Sequence, residues 1–278
     1  MHNCRIYAGS ARVCLHPVPR SAAADRGTGA DALYNQRMGS ELSSLTIFFP
    51  CHNERDNIER VTRAAIEAAR SICSDFEIII VNDGSTDGTA EVAEQLAADH
   101  AEVRVIHHET NKGYGGALQS GFRAARKEWV FYTDGDGQFD IREIARLVPH
   151  CGPQTIVSAY RSERQDPPLR KFNGWCWNVL VNLVFGLRLR DIDCAFKLYP
   201  AKLFEEIELR SVGALIDTEV LAKADRLGYS IRQLGVSHLP RLAGEQSGGS
   251  FRVILRAFKE LFQLRRHILQ TVPRCRIK

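Results

Sequence analysis

The chain has 278 residues, 44% of them hydrophobic and 25% charged, with a formal net charge of +4. That length can bury one generous α/β core or two small ones, and the balance is ordinary for a globular protein. The eight cysteines are scattered without a Cys-x-x-Cys pair, which excludes a disulfide scaffold and reads as reduced thiols of a cytosolic protein.

Residues 1–44 mix Ala, Gly, Ser and Arg without periodicity and lack the apolar core of a signal peptide. They are expected to be a disordered extension, or to precede a true start at Met38. From Leu45 the pattern alternates strand and helix. Leu45–Phe49 is a short apolar strand ending at Pro50, and Asp56–Cys73 carries Ile58, Val61, Ala65, Ile66 and Ala69 at helical spacing. A β-branched strand at Phe76–Val81, a helix at Thr89–Ala98 and a strand at Val103–His107 follow. Next come a small-residue helix at Gly115–Arg126, a strand from Trp129, a helix at Ile141–Val148 and a strand at Thr155–Ala159. This βαβα order predicts a Rossmann-like α/β fold, with a mostly parallel, doubly wound sheet and helices on both faces.

Beyond Tyr160 the pattern changes. Arg161–Lys171 is polar, contains Pro167-Pro168 and reads as a mobile loop. Helices are expected near Trp175–Phe185 and Ile216–Leu227, with a strand near Ser230–Ser237. A Gly/Ser loop then spans Ala243–Ser250, and a last helix runs from Phe251 to Leu269. No apolar run reaches the length needed to span a bilayer; the longest, Trp175–Leu187, is broken by Asn178, Asn182 and Gly186. From Ser250 to Lys278 there are eight Lys or Arg against one acid, Glu260. The final helix sets Phe251, Ile254, Leu255, Phe258, Leu261 and Phe262 against Arg252, Arg256 and Lys259. It can therefore lie in a membrane interface or pack on the domain with a solvated basic face. No aromatic-interleaved basic motif points to nucleic acid.

Polar groups gather where the strands end: Pro50, Asn53 and Glu54 after the first, Asp83–Thr89 after the second, Asn111–Leu118 after the third. The fourth delivers Asp134, Asp136 and Gln138 at alternate positions with glycines between them. In a parallel sheet these ends share one edge, where open α/β sheets bind ligands. Hard oxygen ligands such as Asp136 and Gln138 suit Mg²⁺ or Mn²⁺ on a diphosphate, and Glu54 and Asp83 can accept hydrogen bonds from ribose or base. Each feature also has a plainer reading. Asp-Gly pairs form turns, Thr86 and Asp87 cap the next helix, and His52, His107 and His108 are surface or packing residues. Gly113-x-Gly115 lacks the spacing of a dinucleotide fingerprint.

These motifs in combination (Pro-x-x-Asn-Glu, Asp-Gly-Ser-x-Asp-x-Thr, Asn-x-Gly-x-x-x-Ala and Asp-x-Asp-x-Gln) resemble family-2 glycosyltransferases of the A-type fold. The resemblance runs from Leu45 to about Leu269 and is closest to the dolichyl- or polyprenyl-phosphate hexosyltransferases. It implies a glycosyltransferase domain over 45–249, with a nucleotide-binding half (45–160) and an acceptor half (161–249), and a basic helix and tail over 250–278. It further implies that Pro50, Asn53, Glu54, Asp83, Lys112 and Gly113 hold a nucleotide diphosphate sugar of GDP-mannose or UDP-glucose type. Asp134 would lie near ribose and sugar, and Asp136 and Gln138 on the divalent metal. Arg161, Arg170 or Lys171, and Arg241 would hold phosphates of donor and acceptor. The segment Arg190–Lys197 resembles the family's acceptor-side segment, with Ala195 where glycine is usual.

The expected reaction is inverting, metal-dependent transfer of a hexose to a polyprenyl phosphate by a peripheral protein at the cytoplasmic membrane face. An acceptor hydroxyl would instead need a base, for which Asp191 and Asp193 are candidates unless Asp191 pairs with Arg190 or Arg188. A protein that binds sugar nucleotide or lipid without turnover is the alternative of a different class.

Overall fold

A computed structural model describes residues 41–162, 168–240 and 251–274, and the side chains at 169, 170 and 251–258 are outside that description. The expected N-terminal extension up to residue 40, Arg241 and the Gly/Ser loop lie outside the described residues. Strands β1 (Leu45–Cys51), β2 (Phe76–Asn82), β3 (Val103–His107), β4 (Trp129–Thr133), β5 (Thr155–Arg161), β6 (Phe196–Pro200) and β7 (Ser230–Val236) form a seven-stranded sheet. Its order is β3-β2-β1-β4-β6-β5-β7. Every described pairing is parallel except those of β6, which runs antiparallel to β4 and to β5. β1, β2 and β4 are buried almost throughout, as their unbroken apolar runs require of strands covered on both faces.

One face is covered by α1 (Arg55–Ile72) and α2 (Thr89–Asp99), whose Ile58, Val61, Ala65, Ala69, Ala93 and Leu96 join a core with Ile47, Phe49, Ile78 and Ile80. The other face is covered by α3 (Tyr114–Ala124), α4 (Pro168–Phe185), α5 (Leu203–Glu206), α6 (Ile216–Leu227) and α7 (Phe251–Thr271). α7 buries Leu261, Leu264 and Ile268 in this second core, while Phe262 remains 56% exposed. α3 lies so close to the sheet that a Cβ on Gly121 would come within 2.2 Å of the Phe48 ring.

Three expectations need correction. The Ile141–Val148 segment forms two 3₁₀ turns, Ile141–Arg146 and Val148–His150, rather than an α-helix. Asp140 accepts from Arg142 N, and Pro149 disfavours the α region for the residue before it. The polar stretch read as loop to Lys171 turns helical at Pro168, because proline fits the first turn of a helix, where no N–H partner is needed. β6 was not foreseen; Lys197 interrupts its apolar run, yet is fully buried.

The sheet is also tied by a polar ladder. Glu77 on β2 accepts from Thr46 Oγ1 on β1 (2.7 Å), from Arg104 Nε on β3 (2.9 Å) and from Arg126 N (2.8 Å). Burial opposes the charge on Glu77, but these donors outweigh it and hold its pKa below the usual value. Glu77 therefore stabilises the fold above the unfolded carboxylate range and ceases to do so as pH falls through its lowered native pKa. Glu77→Gln is expected to cost about 1–3 kcal/mol at pH 7. Thermal melts should show the gap from the parent narrowing below about pH 4.

Candidate active site

The parallel register brings the strand ends level. Cys51 pairs with Asn82 and Asn82 with His107, while Phe48 pairs with Tyr132 one residue before β4 ends. The loops beyond these ends enclose a crevice of about 730 Å³ lined by Pro50, Asn53, Glu54, Asp83, Gly113, Asp134 and Asp136, with Asn111 and Tyr114. A Cβ on Gly135 would come within 2.6 Å of Cys51 Sγ, and one on Gly84 (φ +66°) within 2.6 Å of Asn111 N. Glycine at these two positions lets neighbouring loops close on one another.

The loops are cross-tied. Asn53, at φ 57°, donates its N–H to Ser85 Oγ (3.0 Å) and accepts from Thr86 N at Oδ1 (2.9 Å). Glu54 is buried, donates its N–H to Thr89 Oγ1 (3.0 Å) and accepts from Asn57 Nδ2 (2.7 Å). Asp87 accepts from Thr89 N (3.0 Å) and Arg55 N (3.2 Å), so it covers the first turns of two helices, whereas Thr86 serves the Asn53 contact.

Asp83 is 4% exposed, and its Oδ1 accepts from His108 Nδ1 (2.6 Å) and Lys112 N (2.8 Å). His108 in turn reaches Ser120 Oγ at 2.9 Å. His108 is thus a buried partner of Asp83 rather than a surface residue. Its position at the end of β3, level with Asp83, was the available signal. His107 binds Asn82 Nδ2 (3.0 Å) and Glu94 (2.6 Å), and His52 Nδ1 lies 2.9 Å from Asp83 O. Lys112 is exposed, and its side chain lines the adjoining hollow with Trp177, Ser211 and His267.

At the floor, Asp134 accepts from Tyr114 Oη (3.0 Å); burial, then the charge of Asp136, pushes its pKa up to about 7. Asp136 accepts from Gln138 N at 3.0 Å, and Gln138 Nε2 donates to Leu239 O at 3.2 Å. Arg161 grips Asp191 through two bonds of 2.7 Å, so Asp191 pairs with Arg161 and not with Arg190 or Arg188. Asp193 is exposed. Desolvation by the surrounding chain, then repulsion from Asp217 and Asp191, pushes its pKa upward, and solvent at this exposed residue limits the rise. Lys171 is exposed in the first turn of α4, and the Arg170 side chain lies outside the described residues.

Sequence reasoning missed the acids that start α6. Asp217 accepts from Lys197 Nζ (2.6 Å) and from Tyr132 Oη; Lys197 and Asp217 are 0% and 4% exposed. Glu219 is buried, accepts from Arg210 N (3.1 Å) and Ser211 N (2.7 Å), and pairs with Lys223 (2.6 Å). It thereby fixes the loop whose Val212 O receives Gly115 N (3.0 Å) at the start of α3. Two acids in the first turn of an apolar helix were the legible clue.

The crevice thus sits at the carboxyl edge of the parallel strands, where open α/β sheets bind ligands. The chain belongs to glycosyl transferase family 2, whose model matches residues 46–208. Glycosyltransferase AglD of Haloferax volcanii is 30% identical over 212 residues, covering 71% of this chain and 33% of AglD. The dodecaprenyl-phosphate galacturonate synthase of Rhizobium johnstonii is 28% identical over 233 residues, 80% of this chain and 67% of that protein. The chain thus spans a third of one relative and about two thirds of the other. Among solved structures, glucosyl-3-phosphoglycerate synthase from Mycobacterium tuberculosis with UDP aligns at a TM-score of 0.60, 16% identical, over 81% of this chain and 80% of that one. Mannosyltransferase PcManGT from Pyrobaculum calidifontis, in complex with GDP-Man and Mn²⁺, aligns at 0.54, 20% identical, over 88% and 81%. Both share this α/β fold.

The Lys197–Asp217 pair predicts a specific stability effect. Lys197→Met leaves a buried carboxylate without its cation and should cost about 3–5 kcal/mol in urea unfolding. Adding Asp217→Asn should recover most of that loss.

Proposed function

We propose that this chain transfers a hexose from a nucleoside diphosphate sugar to a polyprenyl phosphate. The observation that carries the reading is the convergence of Asn53, Glu54, Asp83, Asp134 and Asp136 on one crevice at the carboxyl edge of the sheet. The relative named for a polyprenyl-phosphate product, the dodecaprenyl-phosphate galacturonate synthase, supports the acceptor.

In this reading Pro50, Asn53, Glu54, Asp83 and the Lys112-Gly113 backbone hold the nucleoside, and Asp134 orients ribose and sugar. The residues fit a divalent ion. Asp136 and Gln138 offer hard oxygens two positions apart in the loop after β4. Mg²⁺ and Mn²⁺ suit such a site, since they keep positions for water and phosphate oxygens. When bound, the ion would offset charge on the departing diphosphate. Arg161, held rigid by Asp191, and Arg170, Lys171 and Arg241 are assigned to phosphate groups. A phosphate monoester acceptor, with a second pKa of about 6, is largely ionised at neutral pH and needs positioning more than a base. Attack opposite the diphosphate inverts the anomeric carbon.

Asp193 supports a second reading, an acceptor hydroxyl, because its upward-shifted carboxylate suits a general base near neutral pH. Labelled nucleotide sugars incubated with polyprenyl phosphate and Mn²⁺ or Mg²⁺ should pass label into the organic phase, and Asp136→Ala should abolish it. Asp193→Asn should then change the rate less than about tenfold. With a hydroxyl acceptor it would fall about 10²–10⁴-fold, and nucleotide would be released without lipid labelling. Intact nucleotide sugar with both acceptor classes would support a binding protein instead.

A membrane-facing surface accompanies the lipid acceptor in this proposal. Phe172, Trp175, Val179 and Leu183 are 58, 61, 37 and 77% exposed along one side of α4, near exposed Lys171. α4 contains no acid, and Arg265 of α7 donates to Val184 O at 2.8 Å, which brings the basic α7 alongside. Among the described residues no helix is long and apolar enough to cross a membrane. Trp175→Glu with Leu183→Glu should weaken sedimentation with anionic lipid vesicles about tenfold or more.

A further inference from the structure

Lys197 is fully buried, so no ligand reaches it, yet it joins elements from both sides of the crevice. An ammonium has three N–H bonds to give. All three are used: Tyr132 Oη accepts at 3.0 Å, Asp217 Oδ1 at 2.6 Å and Cys194 O at 2.5 Å. These acceptors lie on β4, on α6 and in the turn before β6. They are themselves buried, and the Tyr132 hydroxyl gives its one proton to Asp217. Every donor of the cluster is thereby committed.

The cluster sits where the sheet reverses direction. β6 runs antiparallel to β4, with Tyr132 opposite Lys197 and Thr133 opposite Phe196. The carboxyl end of β4 and the amino end of β6 therefore reach the same edge, the one that carries the crevice. Out of β4 the chain runs to Asp134, two residues after Tyr132, where Tyr114 Oη donates at 3.0 Å. Into β6 comes the Asp191–Cys194 turn, closed by Cys194 N on Asp191 O at 3.4 Å. There Asp191 holds Arg161 through two bonds of 2.7 Å. Lys197 thus links the floor of the donor crevice to the support of Arg161.

Resting on the transfer reading above, we propose that Lys197 is a positioning residue for hexose transfer. It holds the Asp191–Cys194 turn, and Arg161 with it, at a fixed spacing from Asp134 and touches neither substrate. Stability alone does not account for the cluster. A buried ion pair is a weak stabiliser, because desolvation of both charges opposes their attraction, and a well-packed apolar replacement is often neutral or better. Directed bonds achieve what apolar packing does not: acceptors on three elements fix one point, and with it the distances between those elements. Group transfer depends steeply on such distances, since a misplacement of about 1 Å costs on the order of 10²-fold in rate. Tyr132 shares the role. Its hydroxyl bridges Lys197 and Asp217 while its ring stacks on Phe48 and Tyr199.

The test compares melting, nucleotide binding and turnover in the full chain carrying Lys197→Met with Asp217→Asn. The two substitutions remove both charges, so the protein should melt close to the parent. With Mn²⁺ it should bind UDP or GDP, whichever the parent takes, within about threefold of the parent. At saturating nucleotide sugar and polyprenyl phosphate, kcat should fall about 10–100-fold while KM for the nucleotide sugar barely moves. Turnover that returns with the melting temperature overturns the proposal, because the cluster then serves stability only. Nucleotide affinity falling in step with kcat also overturns it, because the donor crevice itself has then collapsed. Should the double variant fail to fold, Tyr132→Phe decides, since it keeps the ring and the Lys197–Asp217 pair and removes one bridging hydroxyl. Its kcat should fall at least about threefold at unchanged KM, and a parental kcat overturns the proposal. No transfer by the unaltered protein overturns the transfer reading and this inference with it; UDP or GDP binding then shows whether the donor site stands.

Discussion

Everything at this site depends on the level ending of parallel strands. β1, β2 and β3 stop abreast, with Cys51 beside Asn82 and Asn82 beside His107, so four loops far apart in sequence open on one crevice. Parallel strands need crossovers, and here α1, α2 and α3 supply them while covering the two faces. The loops then hold each other: Asn53 to Ser85 and Thr86, Asp87 to Arg55, and Asp83 to His108 and Lys112. The groups that would meet a ligand are thus preorganised by backbone N–H groups together with the Ser85 hydroxyl and the His108 ring.

A second constraint is the crowding of negative charge. Desolvation raises the pKa values of Asp134 and Asp193, and neighbouring carboxylates add to it: Asp136 and Asp217 for the first, Asp217 and Asp191 for the second. The fold answers part of this charge internally, with Lys197 on Asp217 and Arg161 on Asp191. Asp134 and Asp136 face the crevice, an arrangement suited to a cation arriving with a diphosphate. The antiparallel β6 belongs to this account, since its main structural novelty is to carry Lys197 beneath the site.

Much of this was legible in the sequence. Continuous apolar runs marked β1, β2 and β4, helical spacing marked α1 and α6, and the loops after the strands named the crevice residues. What stayed hidden required three-dimensional pairing. Lys197 broke an apolar run, and its neutralisation by Asp217, on a helix after the strand, cannot be read locally. His108 read as one of two adjacent surface or packing histidines, and only the strand register sets it against Asp83. Pro168 read as a loop residue because its permitted place in a first helical turn becomes visible only once the helix is known. The 3₁₀ turns at Ile141–His150 failed the helical expectation for a local reason, the proline at 149.

The most direct measurement is a crystal structure of the full chain with a nucleoside diphosphate and Mn²⁺, using anomalous scattering to locate the ion. The account predicts a peak beside Asp136 and Gln138, with the diphosphate on that ion and the base against Asp83. A nucleotide seated away from Asp83, or an ion held away from Asp136, would contradict it.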